Sequence, residues 1–106
     1  MDKPSAQSSD TQVPDVNWFV YLLRCADDTL YTGISNDLTR RLKKHNAGTA
    51  SRYTRSRLPV TIVYQEIQAS RSLALKREHI IKGYSRKVKE SLIQLEDTTT
   101  LRVEAE

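Results

Sequence analysis

Residues 28–45, DTLYTGISNDLTRRLKKH, decide how the rest of the chain is read. A strand-forming run ending in Tyr31-Thr32-Gly33 gives way at once to a helix-forming run that carries Arg40, Arg41 and His45. Upstream, WFVYLLRC (18–25) is aromatic and branched and too short for a helix, and the turn-forming Ala26-Asp27-Asp28-Thr29 separates it from LYTGIS (30–35). This pattern predicts a β-hairpin. Its turn decides which tyrosines share a face, because one residue of register sends every side chain to the opposite side. A two-residue turn would separate Tyr21 from Tyr31, whereas an odd loop brings them together. We expect the odd loop, Asp27-Asp28-Thr29 or a bulge beside it, with Tyr21 near Ser35 or Gly33. Gly33 then leaves room for a ligand backbone to approach.

Downstream, Asn36 or Asp37 offers an N-cap, Leu38, Leu42 and His45 recur at helical spacing, and Gly48 offers a stop, so a first helix is expected over roughly 37–47. TASRYTRSRLP (49–59) has no periodicity and reads as a basic loop before a third strand, VTIVYQEI (60–67). Ser70 caps a second helix that Gly83 helps to end, and Ser85 caps a third, RKVKESLIQLE. The order is β-β-α-β-α-α, an α+β arrangement.

A chain of 106 residues is one domain with one modest core, burying about 60 to 65% of its unfolded surface. The single cysteine, Cys25, excludes an internal disulfide and a multi-cysteine zinc site and suits a reducing compartment. The start of the chain has neither the apolar run of a signal peptide nor the basic character of a transit peptide, and no stretch approaches membrane length. A cytoplasmic monomer without zinc or membrane contact is expected. Residues 1–17 carry net −2 and residues 96–106 net −3, so with a chain total of +4 the middle holds +9. So basic a domain suits a polyanion, and nucleic acid is the expected partner. The polar ends, 1–16 and the acidic 96–106, read as disordered tails around a domain at 17–95.

Arg41 and His45 are four apart and lie on the same side of their helix, flanking Leu38 and Leu42. Facing the hairpin, an arginine, two tyrosines and a histidine make a phosphate site, since a guanidinium fork matches phosphate oxygens and phenol or imidazole can handle a water proton. Packing tyrosines and a surface Arg/His pair are the plain alternative. In the second helix Leu73, Ile80, Ile81 and Tyr84 form an apolar arc with Arg77 inside it, where it must snorkel, pair or face a groove. Glu78 falls at the edge of that arc. It is either an oxygen ligand for Mg²⁺ or the i, i+4 partner of Lys82. Arg40 and Lys44, with Lys43, point to solvent or a phosphate backbone, and Arg52, Tyr53, Arg55 and Arg57 suit phosphate contact with one ring to stack.

VYLL around Tyr21, LYTGIS with Tyr31 and Gly33, RRLKKH with Arg41 and His45, and LKREHIIKG with Glu78 together resemble the GIY-YIG nuclease superfamily, most closely its small single-domain bacterial YhbQ-like branch. The four stretches match in order across roughly residues 17–95. Phe19-Val20-Tyr21 stands for Gly-Ile-Tyr, Thr32 for the isoleucine of Tyr-Ile-Gly, and His45 for a tyrosine of other branches. The resemblance implies a small three-stranded antiparallel sheet flanked by helices and a structure-selective, metal-dependent endonuclease acting on DNA, of the kind used in DNA repair. By the same resemblance Glu78 binds Mg²⁺ or Mn²⁺, Arg41 holds the scissile phosphate, Tyr31 positions or deprotonates the attacking water, and Tyr21 and His45 assist by hydrogen bonding. Arg40, Lys44, Lys82 and the basic loop would hold the nucleic acid. The alternative is a nucleic-acid-binding module of the same shape with little turnover; a protein-interaction module would need an exposed apolar patch that the sequence does not clearly show.

Overall fold

The computed structural model describes the backbone of residues 17–105 and side chains as far as residue 95. In chain order the elements are β1 (Trp18–Arg24), β2 (Leu30–Ser35), α1 (Leu38–Asn46), α2 (Arg52–Arg55), β3 (Thr61–Gln68), α3 (Arg71–Lys82) and α4 (Arg86–Ala105). The strands form one antiparallel sheet, β2-β1-β3. Two elements differ from the sequence expectation. The basic loop contains a helical turn, α2, because the Ser51 side chain accepts from the Tyr53 and Thr54 amides. The backbone of α4 continues as helix to Ala105, beyond residue 95 where an acidic tail was expected to begin. The expected N-terminal tail, 1–16, lies outside the described residues. No helix among the described residues is long and apolar enough to cross a membrane.

The hairpin has the expected odd loop, one residue earlier than anticipated. Asp28 N donates to Cys25 O and Cys25 N to Thr29 O, both at 2.9 Å, which leaves Ala26-Asp27-Asp28 as the loop. Asp28 takes the left-handed conformation, φ 71°, that closes a turn of this kind and that aspartate tolerates. Tyr21 therefore pairs with Gly33 and Leu23 with Tyr31. Odd-numbered residues of both strands share a face.

Each face of β1 has its own core. Val20 and Leu22 pack with Ala74, Ile81 and Ile93 of α3 and α4, while Tyr21, Leu23 and Cys25 pack with Val60, Leu38, Leu42, Leu58 and Ile62. β3 serves both through a bulge. Leu22 faces Tyr64 but Leu23 faces Ile62, so the extra Val63 joins Tyr64 on the even face while Ile62 turns to the odd one. Asn46 closes the odd side by donating to Val60 O at 3.0 Å and accepting from Val60 N at 2.8 Å.

Helix caps fall where the sequence placed them: Asp37 on α1, Ser70 and Gly83 on α3, Ser85 at the start of α4. The apolar arc of α3 is turned by one residue from its expected position. Leu73 and Ile80 are 44% and 50% exposed, and the fully buried positions are Ala74 and Ile81. Arg77 and Glu78, three and four residues after Ala74, consequently face inward. Arg77 pairs with Glu66 at 2.7 Å and reaches the Tyr64 and Tyr84 neighbourhood, which resolves its place in the arc. At the other end of the sheet, Arg24 forks onto Glu90 at 3.0 and 2.9 Å and Arg86 joins at 2.8 Å. Hydrogen bonds from those two guanidiniums hold the Glu90 carboxyl down to about 2.

Thr32, opposite Leu22 on the even face, is buried, and its hydroxyl has no hydrogen-bond partner among the described residues. An unsatisfied buried hydroxyl costs about 1–3 kcal/mol. Thr32→Val keeps the shape and removes the hydroxyl, so it should stabilise the domain by about 1 kcal/mol, seen as a Tm rise of about 4–8 °C. A lower Tm would mean that the hydroxyl is bonded after all.

Candidate active site

On the odd face Gly33 lies beneath the Tyr21 side chain. A Cβ built on Gly33 would stand 2.6 Å from Tyr21 Oη and 2.7 Å from its Cζ, with the Tyr31 ring 3.1 Å away. The sequence reading is corrected here: the space over Gly33 is filled by the buried Tyr21 phenol and offers no approach to a ligand backbone. The glycine lets the phenol lie flat across β2 toward α1. Gly33→Ala should therefore displace Tyr21, cost about 1–3 kcal/mol as overpacking does, and be detected as lower thermal stability. An unchanged Tm would show that Tyr21 has room to move.

The displaced position matters because Tyr21 Oη is 3.0 Å from His45 Nε2. His45 stands in the last turn of α1, 1% exposed, and its ring meets the edge of Tyr31 at 5.2 Å between centroids. Tyr31 is diagonal to Tyr21, with ring centroids 6.5 Å apart. Burial, then the neighbouring Tyr31, pushes the Tyr21 hydroxyl up from its ordinary value; Arg41 opposes the shift and Glu78 adds to it. Burial, then Arg41, pushes His45 below its ordinary value. Both groups are therefore neutral near pH 7, and Tyr21 keeps its proton.

Behind His45 is a residue the sequence reading passed over. Thr54 Oγ1 lies 2.9 Å from His45 Nδ1, and Thr54 is fully buried. The helical turn that carries it lies in the aperiodic stretch that was expected to be a loop.

Arg41 is half-buried on α1, and its charge reaches both Tyr21 and His45. Among the described residues no carboxylate pairs with Arg41, Arg40 or Lys44, which line one cleft with Ser35, Asn36 and Asp37. Arg52 and Arg55 line a second cleft with Gly48, Thr49 and Ser51, also without an acidic partner. Arg57 differs from them. It is bound to Asp27 at 3.0 Å and to Tyr53 O at 2.7 Å, and its guanidinium sits 4.0 Å from the Tyr53 ring centroid. The other neighbour of Tyr53 is Tyr31, at 5.9 Å and 30°. Arg57 and Tyr53 thus fasten α2 to the hairpin.

Glu78 makes the ion pair with Lys82 that was weighed for it, from a side chain that is mostly buried. Its side chain is only 17% exposed and close enough to add to the shift of Tyr21, and one oxygen is 3.4 Å from Lys82 Nζ. No three His, Cys, Asp or Glu side chains converge among the described residues. One inward carboxylate fits a hard divalent cation that keeps most of its water, as Mg²⁺ does. Glu78 is the residue that would hold it.

Comparisons with known proteins give the family. Residues 17–91 match the model of the GIY-YIG catalytic domain. A UPF0213 protein of Haloquadratum walsbyi is 47% identical over 76 residues, 72% of this chain and 85% of its own. A UPF0213 protein of Staphylococcus aureus is 49% identical over 76 residues, covering 72% of this chain and 93% of its own. A solution NMR structure of a protein from E. faecalis superposes with a TM-score of 0.52 at 37% identity, covering 80% of this chain and 88% of that one. The chain belongs to the GIY-YIG family, a nuclease family whose members generally use divalent metal ions, and over 76 residues it is similar to the UPF0213 proteins.

Proposed function

We propose that the protein is a metal-dependent endonuclease that hydrolyses phosphodiester bonds in DNA, choosing substrates by structure rather than sequence, with Mg²⁺ or Mn²⁺ as its ion. The observation that carries this reading is the half-buried Arg41, unpaired by any described carboxylate, beside a buried Tyr21–His45 hydrogen bond and the inward Glu78. A cation kept without a counter-ion at a protein margin suits a phosphate, and a guanidinium can grip two of its oxygens. A divalent ion on Glu78 supplies, when bound, charge stabilisation at the phosphoryl oxygens.

Tyr31 is half-buried and its hydroxyl makes no hydrogen bond to any described residue, so it is free to orient the attacking water. As the water oxygen bonds to phosphorus and the ester oxygen leaves with its bonding pair, to be protonated by solvent, the water proton passes to Tyr21 Oη while the Tyr21 proton moves to His45 Nε2. Neutral His45 is the final acceptor in that step, which spares Tyr21 a phenolate its burial disfavours. Arg40 and Lys44, in the cleft of Arg41, and Arg52 and Arg55, in the second cleft, would hold the backbone of the nucleic acid.

The Glu78–Lys82 ion pair favours a second reading, a nucleic-acid-binding module with little turnover, because Lys82 already satisfies part of the carboxylate. A cleavage panel separates the two. Duplex, single-stranded and branched DNA and the matching RNAs are incubated with Mg²⁺, Mn²⁺ or EDTA. Cleavage of a DNA substrate that EDTA abolishes is expected; binding without cleavage under every condition selects the second reading.

A further inference from the structure

We infer that Thr54 is a positioning residue that fixes His45 in the tautomer protonated at Nδ1, so that Tyr21 donates its hydrogen bond to His45 and keeps its oxygen lone pairs free to accept. The inference rests on the nuclease reading for its consequence, but its geometry stands alone. His45 and Thr54 are 1% and 0% exposed, so bulk water offers the two imidazole nitrogens no alternative partner. Each imidazole nitrogen has one neighbour, Thr54 Oγ1 at Nδ1 and Tyr21 Oη at Nε2. In a neutral imidazole one nitrogen donates and the other accepts, and the partner of one nitrogen sets the role of the other. The direction of the whole chain is therefore set where it ends.

It ends at Ser51. The Thr54 hydroxyl has a second acceptor, the Ser51 carbonyl at 3.4 Å, to which it donates, leaving its lone pairs to receive a proton from Nδ1. Nε2 is then bare and accepts from Tyr21. The same Ser51 accepts the Tyr53 and Thr54 amides through its side chain, at 3.0 and 3.3 Å, and so builds the turn that brings Thr54 under the ring. Arg57, bound to Asp27 across the hairpin loop, holds the turn down. The opposite tautomer would reverse every bond: Thr54 would donate, Tyr21 would accept, and His45 could no longer take the Tyr21 proton. Thr54 touches no substrate and acts only through His45.

The test reads the tautomer directly and needs no activity. The chain has two histidines, so ¹⁵N imidazole spectra of the full chain in a His79→Gln background report on His45 alone. Protonated Nδ1 and unprotonated Nε2 are expected for unaltered Thr54. Thr54→Val keeps the shape but removes the acceptor, and the proton should move to Nε2; Thr54→Ser should restore Nδ1–H. Where DNA is cleaved, kcat should fall about tenfold to a hundredfold in Thr54→Val, as for loss of a supporting partner elsewhere, with KM little changed and Thr54→Ser near the original rate. Nε2–H in the protein with intact Thr54, or Nδ1–H retained in Thr54→Val, would overturn the assignment. Should Thr54→Val not fold, the spectrum with intact Thr54 and that of Thr54→Ser decide it. If no substrate is cleaved by any form, the nuclease reading fails while the spectra still decide the role of Thr54.

Discussion

Glu78→Gln is expected to slow cleavage by about three orders of magnitude and to leave the affinity for DNA without metal unchanged or higher. The size follows from the several kcal/mol that a bound metal contributes to stabilising charge on a reacting phosphate, at about 1.4 kcal/mol per factor of ten. Glutamine retains the length and hydrogen bonding of Glu78 but is a far weaker ligand, and removing a negative charge from a basic surface favours a polyanion. Stability should hardly move, since the Lys82 pair lost with it is an i, i+4 contact with the lysine 56% exposed, worth a few tenths of a kcal/mol. Rates are compared under saturating Mg²⁺ and Mn²⁺, and affinities in EDTA. Equal cleavage by Glu78→Gln would reduce Glu78 to the partner of Lys82.

The residues of this site were unequally legible in the sequence, and the difference follows the range of the interactions. That Tyr21 and Tyr31 share a face follows from side-chain alternation and loop parity, which are local. The caps Asp37, Ser70 and Ser85 and the stop at Gly83 are likewise written within one turn of their helices. Gly33 was found but its purpose was reversed, because whether a gap stays open depends on where the opposite side chain lies, and Tyr21 takes it. The α3 arc was misplaced by one residue because hydrophobicity weights Leu73 above Ala74, whereas close packing on the β1 and β2 surface selects the small side chain. Arg57 looked like its neighbours Arg52 and Arg55, and only Asp27, thirty residues earlier, distinguishes it. Thr54 had no sequence signal at all, since its partner His45 lies on another element. Strand parity and capping are thus readable from one chain, while the pairings that turn those elements into a site are contacts between distant segments.

Arg41→Ala should reduce kcat by about a hundredfold to a thousandfold, the usual loss when a donor to developing transition-state charge is removed. Arg40→Ala, on the exposed side of the same cleft, should instead weaken DNA binding with a smaller effect on kcat, because a rim contact is equal in ground and transition states. Arg41 also has a signature in pH that a packing residue would lack. Its charge is the second cause, after burial, that holds His45 below its ordinary value of about 6.5. Without it, the His45 value rises toward that of a free imidazole. His45 must be neutral to receive the Tyr21 proton, so the acid limb of the kcat/KM profile should shift to higher pH in Arg41→Ala. Stability should move in the complementary sense. A histidine depressed by folding contributes fully above its unfolded value and less as pH falls below it, so the folded chain loses stability on acidification, and Arg41→Ala, with the two values closer, should lose less from this group. The profile is measured with saturating metal from pH 5 to 9 and the stabilities by urea titration at the same points. A kcat within a few-fold of the unchanged chain, with the acid limb in place, would remove Arg41 from the reacting phosphate and leave it a surface cation.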